Sequence, residues 1–217
     1  MSVAGNILVR GSKGVIAAVL ATSLTASQPP AAPKDMVSAQ TMHNLQTALN
    51  GERNAHARYL AFAEKAEKEG YGAVASLFRA AAAAEEVHGN NHERTIRDLG
   101  GAPDVNLQSP APKSTRENLE AAISGETYEW QEMYHEFVLQ ARKDAYVPAV
   151  VTLTQAKNTE VVHASLFSEA LKNLDALKGS KARSYYVCTV CGFTTVDLSF
   201  EKCQNCFKPK ERYKAVS

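Results

Sequence analysis

Glycine and proline are scarce, 12 and 8 in 217 residues, and alanine-rich runs such as Ala80 to Ala84 stand in their place. That balance favours helix over sheet and leads us to expect an all-α body. No sign of charge dominates, since Lys and Arg number 24 against 23 Asp and Glu, for a net charge of +1. A chain without a single-sign field has nothing to track a phosphate backbone or hold an anionic membrane, which argues against nucleic acid as a partner. Cysteine is absent before residue 188, and the four that follow form two C-x-x-C pairs, leaving none for a disulfide framework. The longest purely apolar stretch, Val15 to Ala21, is too short to span a bilayer, so no membrane span is expected in the mature chain. At 23.5 kDa and 45% apolar residues, the chain has room for one full domain and a small second one.

Three segments follow from the pattern. Residues 1–35 carry Arg10 and Lys13, the short apolar stretch, then Thr25-Ala26-Ser27 and a Pro/Ala-rich linker. This is the layout of a secretory signal, with a disordered leader as the alternative. Export to a periplasm or its equivalent is expected, with a mature N-terminus near Gln28; a cytoplasmic location is the alternative. Residues 36–179 show apolar positions in steps of three and four, broken near Gly70, at Gly100-Gly101-Ala102-Pro103, at Pro110 and Pro112, and at Pro148. Four helices of about 25 residues result, each about 35–40 Å long. The longest connection lies between the second and third, so a crossover bundle of the ferritin-like kind is expected. Residues 180–217 hold the cysteines.

The body repeats itself. Asn44-Leu45 with Glu52 recurs 74 positions later as Asn118-Leu119 with Glu126, and Glu85-Glu86-Val87-His88 recurs 75 positions later as Glu160-Val161-Val162-His163. Two helix pairs related in this way would face each other across a pseudo-twofold axis. Their apolar stripes carry Glu52, Glu85, His88, Glu126, Glu129, Glu160 and His163. Five buried carboxylates without compensation would unfold a domain that is stable by only about 5–15 kcal/mol. Cations must therefore sit among them. Glu-x-x-His places an oxygen and a nitrogen on one helical face, and two such helices plus a Glu from each of two others give a di-iron carboxylate pattern. Oxygen-rich ligation suits iron or manganese better than zinc or copper. Tyr59 and Tyr134 lie beyond Glu52 and Glu126 and are candidate hydrogen-bond donors to the site. His56 and His92 are expected beside the site or at the surface, and Glu86 and His135 at the surface.

Cys188, Cys191, Cys203 and Cys206 form two knuckles suited to tetrahedral sulfur ligation of one zinc or one iron. So short a segment depends on its metal to fold. Gly192 can take the left-handed backbone that tightens the first knuckle.

From Gly51-Glu52 with Ala57-Arg58-Tyr59, through Glu67-Lys68-Glu69-Gly70-Tyr71, Ala84 to His88, Gly125 to Glu129, Met133-Tyr134 and Glu160 to His163, to Cys188–Cys206 with Pro209-Lys210, the chain resembles the rubrerythrin family. The resemblance spans about residues 40–214. It implies an all-α four-helix ferritin-like bundle with a small C-terminal rubredoxin-like metal-binding domain. It also implies reduction of hydrogen peroxide at two irons, with electrons from an external donor protein, ultimately NAD(P)H, passing through the tail iron. Glu52, Glu85, Glu126, Glu129, Glu160 and His163 would be ligands, with His88 trading places with Glu129. The tail lacks two prolines common in the family, having Phe200-Glu201-Lys202 and Gln204-Asn205 there. A ferrous-iron oxidase and a zinc-ribbon interaction module are the alternative functions. If the last helix runs to Lys178, some 22 Å past His163, the tail starts beyond the bundle's end. A head-to-tail homodimer would then bring each tail over its partner's site.

Overall fold

The computed structural model describes residues 37–217; the leader reading falls on residues outside these. Five α-helices, α1 Ala39–Lys68, α2 Gly72–Asp98, α3 Thr115–Tyr128, α4 Tyr134–Lys143 and α5 Val147–Lys172, build the body. One turn of π-helix, Glu129–Met133, joins α3 to α4, so the two act as a single third rod of the four-helix bundle. Among the described residues no helix is long and apolar enough to cross a membrane.

The starts of the rods are set by local chemistry. Ser38 caps α1 by accepting from the Thr41 N–H, and Ser114 with Glu117 forms a reciprocal capping box on α3. Pro148 occupies the first turn of α5, where its missing N–H costs no hydrogen bond. Two carboxylates then tie rods together in matching fashion. Glu69, at the end of α1, accepts from Thr115 N (2.8 Å) and Thr115 Oγ1 (2.6 Å). Asp144, 75 positions on, accepts from Ser38 N (2.9 Å) and Thr41 Oγ1 (2.7 Å). Each places a negative charge at the positive end of the helix it receives. The residue after each clasp reverses the chain with left-handed backbone, Gly70 at φ 77° and Ala145 at φ 51°.

The long crossover, from Gly100 to Ser114, is held along α1 by a ladder of amides one turn apart. Gln46 Nε2 donates to Ala102 O (2.6 Å), and Gln46 Oε1 accepts from Asp104 N (3.1 Å). Asn50 Oδ1 accepts from Asn106 N (2.8 Å), and Asn54 Oδ1 from Gln108 N (2.7 Å).

Two apolar layers form inside. One gathers Tyr59, Phe62, Phe78 and Phe167; the other gathers Leu45, Leu49, Ile96, Tyr134 and Leu153. On every rod the candidate glutamate falls between members of the two layers, as Glu52 does between Leu49 and Ala55, or Glu160 between Ala156 and Phe167.

The tail corrects the expectation drawn from the last helix. α5 stops at Lys172 and gives way to a 3-10 turn, Leu174–Leu177. Gly179, at φ 75°, then turns the chain back. Gly179 N donates to Gly70 O (2.8 Å), Gly72 N to Ser180 O (3.1 Å) and Arg183 N to Ser76 Oγ (3.2 Å). Gly72 is needed at this crossing, because a Cβ there would lie 2.6 Å from Ser180 O. Thus led along α2, the tail forms a small antiparallel sheet over its own bundle. Its strands are β1 Tyr185–Cys188, β2 Thr194–Thr195 and β3 Tyr213–Val216, in the order β2-β1-β3. The tail therefore reaches His88 and His163 of its own bundle without a partner chain.

Two outcomes follow from the rod ends. Bonds from Thr115 hold the Glu69 carboxyl down at about 2, against an ordinary 4.5. A depressed carboxyl contributes stability above the unfolded value that disappears as pH falls through the folded one. Thr115→Val should cost about 1 kcal/mol at pH 7, a gap that narrows between pH 4.5 and 2 in urea unfolding series. Ala145→Gly should add about 1 kcal/mol by relieving the left-handed backbone at an exposed site, seen as a higher urea midpoint.

Candidate metal centres

Glu52, Glu85, His88, Glu126, Glu160 and His163 are all buried in the layer between the two apolar regions. Their ligand atoms converge in two groups, within 4.8 Å of one another in each: Glu52, Glu85, His88 and Glu160 in the first, Glu85, Glu126, Glu160 and His163 in the second. Glu85 and Glu160 belong to both. Helical spacing makes this possible, since His88 Nδ1 lies 2.9 Å from Glu85 and His163 Nδ1 3.0 Å from Glu160, each at i, i+3. Glu129 is not brought into either group. It is half-buried on the first residue of the π turn.

That turn is the extra residue of the third rod. Seven positions separate Glu52 from Tyr59, but eight separate Glu126 from Tyr134. A π turn absorbs one residue and returns Tyr134 to the face that Tyr59 occupies on α1. The two tyrosines then cross over. Tyr59 OH donates to Glu126 and Tyr134 OH donates to Glu52, each serving the carboxylate of the other half. Burial, then the neighbouring carboxylates, push both phenols well above their usual range, so both keep their protons.

Beyond the tyrosines the symmetry ends. Tyr134 spends its proton on Glu52, so its oxygen accepts from His92 Nε2–H (3.1 Å), and His92 Nδ1 is hydrogen-bonded to the Thr152 hydroxyl (3.0 Å), making a continuous chain Thr152–His92–Tyr134–Glu52. Around Tyr59 the corresponding positions are Phe167 and Leu77, and the ring packs 5.4 Å from Phe167 and 5.9 Å from Phe78. His56 bonds Ala82 O (2.8 Å) away from the site, and Glu86 and His135 are exposed.

Electrostatics identifies what the layer accepts. Burial, then Glu160 and Glu85, push the Glu126 carboxyl well up; burial, then Glu160, push Glu85 up. Burial alone would raise Glu52 and Glu160 too, but the imidazole of His88 outweighs it and holds both low. Burial opposes charge on His163, yet Glu85 and Glu160 raise it to about 9. Five carboxylates exceed what two imidazoles could balance. Glu52 Oε2, Glu85 Oε1, both oxygens of Glu160 and His163 Nδ1 are buried with no hydrogen-bond partner. Orphaned acceptors aimed at common points, of an oxygen-rich donor set, fit two cations of the iron or manganese kind.

The tail supplies the rest of the imidazole chemistry. His88 Nε2–H donates to Cys191 O (3.1 Å). Thr194 gives its only hydroxyl proton to Gly192 O (3.1 Å) and so accepts from His163 Nε2–H (3.0 Å). Both rings are thereby fixed with Nδ1 facing inward, as metal-binding imidazoles require. Gly192, at φ 78°, is the only residue type that fits, since a Cβ would overlap His88 Nε2. Asn205 locks the second knuckle to α5, donating to Gln155 O (2.8 Å) and accepting from Asn158 Nδ2 (3.1 Å).

Within the tail, all four sulfurs lie within 4.8 Å of one another. Cys188–Cys206 and Cys191–Cys203 are 3.7 and 3.6 Å apart, near the ~3.8 Å edge of a tetrahedron with metal–sulfur bonds of about 2.3 Å. The Cys191 side chain, together with the Val190 and Cys191 N–H groups, holds the Cys188 thiol down at about 5, although burial opposes it. These contacts favour the thiolate form at Cys188, the form that ligates a metal.

Because Glu160 belongs to both groups and Glu52 to one, Glu160→Ala should lose both bundle ions and Glu52→Ala only one. Metal content per chain by plasma mass spectrometry checks this, and equal losses would contradict the shared role.

Comparison with known proteins agrees with this architecture. The rubrerythrin family model matches residues 43–171, more than half of the chain. Nigerythrin of Nitratidesulfovibrio vulgaris is 36% identical over 176 residues, 81% of this chain and 86% of that one. Rubrerythrin-2 of Clostridium acetobutylicum is 34% identical over 178 residues, 82% of this chain and 97% of that one. The solved structure of fully reduced, all-ferrous nigerythrin superposes with a TM-score of 0.74 at 32% identity, covering 88% of this chain and 91% of its own. With the paired Glu-x-x-His rods, the four-cysteine tail and relatives matched over nearly their whole length, this chain belongs to the rubrerythrin family.

Proposed function

We propose that the chain is a non-haem peroxidase, reducing hydrogen peroxide to two waters with electrons from an external donor protein fed by NAD(P)H. Family membership supports the coarser statement that it is a di-iron oxidoreductase of oxidative-stress defence. The observation that carries the finer reading is the hydrogen bond from His88 to the Cys191 carbonyl. Cys191 is both a thiol of the tail cluster and the hydrogen-bond partner of an imidazole of the bundle cluster. One residue thus joins the two metal groups directly, the short path an electron relay needs, as well as orienting the His88 ring.

In this reading Glu52, Glu85, Glu126, Glu160, His88 and His163 would hold two iron ions, Glu85 and Glu160 being shared. Glu129, on the π turn beside them, is proposed as a ligand that joins by a small movement. Two ferrous ions held there would supply the two electrons needed for O–O cleavage. The protein's own part is to hold protons and exclude water. Tyr134 keeps a proton at its phenol oxygen on Glu52, with His92 Nε2–H behind it and the Thr152 hydroxyl behind that. Tyr59 keeps one on Glu126, walled by Phe78 and Phe167. Proton resupply is accordingly assigned to the Tyr134 side. Four thiolates in the tail would hold one iron, since zinc could not relay an electron. A homodimer is part of the proposal, although the relay does not need one.

Cys188→Ser should keep both bundle ions yet lose peroxide turnover driven by an external reductant, while reduced wild type is oxidised faster by hydrogen peroxide than by dioxygen in stopped-flow. Wild-type turnover in the variant would make the tail structural. A preference for dioxygen would favour the ferrous-iron oxidase.

A further inference from the structure

The two cysteine knuckles are built alike but end differently. Each closes on a residue with left-handed backbone, Gly192 at φ 78° after Cys191 and Phe207 at φ 58° after Cys206. Glycine belongs at such a place, and a bulky residue there is an outlier. Burial offers Phe207 nothing in return, because it is 72% exposed, more than any other large apolar side chain among the described residues. Its neighbour Cys206 is the one cysteine of the four that is not buried. The first knuckle faces His88, whereas Phe207 stands on the solvent side of the second.

The tail that carries this ring is basic as a whole. Between Ser180 and Ser217, seven Lys and Arg stand against three Asp and Glu, whereas the whole chain carries only +1. Lys202 and Lys208 are both exposed and lie on the two backbones that flank the knuckle. Lys202 bridges to Pro209, and Cys203 N donates to Lys208 O at 2.8 Å. Lys210 is paired with Glu201 (2.8 Å), but Lys202 and Lys208 have no ion-pair partner among the described residues.

We propose that Phe207, flanked by Lys202 and Lys208, is the docking surface for an acidic one-electron carrier protein, an aromatic anchor within a basic rim placed over the least buried tail cysteine. Exposed aromatic anchors dominate binding energy at small interfaces, and opposite charge speeds and orients the encounter. The purpose of the contact rests on the peroxidase reading, though the contact itself does not. Each encounter oxidises the carrier by one electron. Two encounters, with two protons, supply what converts one peroxide to two waters.

The test uses the full, metal-loaded chain and an acidic plant-type [2Fe–2S] ferredoxin as the probe, in its oxidised form, titrated by calorimetry. Wild type should bind, more weakly as salt is raised. Phe207→Gly and the double variant Lys202→Glu with Lys208→Glu should each weaken binding by at least about tenfold. Phe207→Gly should also unfold at an equal or higher temperature, since glycine suits φ 58°, which separates lost docking from lost folding. Undiminished binding by Phe207→Gly, or no salt-dependent binding by wild type, overturns the proposal. So does loss of self-association, measured by sedimentation, in place of ferredoxin binding. Peroxide turnover driven by dithionite should be the same in wild type and Phe207→Gly; its absence in both would break the peroxidase reading while leaving the binding result intact.

Discussion

Five glutamates in or beside the middle layer of a helical bundle set the condition that the rest of the protein answers. Each carboxylate there has given up water, and their mutual repulsion grows in a medium of low polarity. Two imidazoles, two phenols and the orphaned oxygens of Glu52, Glu85 and Glu160 make sense together only as the inner wall of a cation site. The apolar layers above and below keep solvent from supplying the missing partners. Glu69 and Asp144 clasp the two ends of α1 to the two ends of the third rod, the helices that carry Glu52 and Glu126.

Much of this was legible in the sequence, for identifiable reasons. Glu-x-x-His is a local pattern, so its two ligands share a face in any α-helix, and a repeat at 74 or 75 positions marks which helices correspond. The four cysteines are equally local. What could not be read depends on which rods are neighbours. That Tyr59 serves Glu126 and Tyr134 serves Glu52 is a matter of packing across the bundle. The π turn left one trace, the change of repeat offset from 74 to 75 between Glu126 and Tyr134. Gln46, Asn50 and Asn54, spaced by four, were a second signal that a segment would lie along α1. The direction of the tail was hidden, because it turns on the termination of α5 at Lys172 and the backbone of Gly179.

The duplication explains both the symmetry of the ligands and its limits. Inner positions kept their identities in both halves, whereas His92 and Thr152 on one side correspond to Phe167 and Leu77 on the other. One half is polar around its tyrosine and the other apolar. Within a single centre, then, two nearly equivalent ligand sets have different surroundings, which gives each a distinct dielectric environment.

Because both Nε2 atoms, of His88 and His163, are closed by groups that belong to residues 191 and 194, synthesis imposes an order on assembly. The bundle sequence leaves the ribosome first, and N-terminal units fold as they emerge. During that interval neither Nε2 atom has its partner from the tail, and that face of the bundle lies uncovered. Arrival of the last forty or so residues covers that face and sets both rings at once. The tail is thus the final part of the wall around the buried carboxylates, and a chain shortened before residue 191 would leave the centre open to solvent on one side.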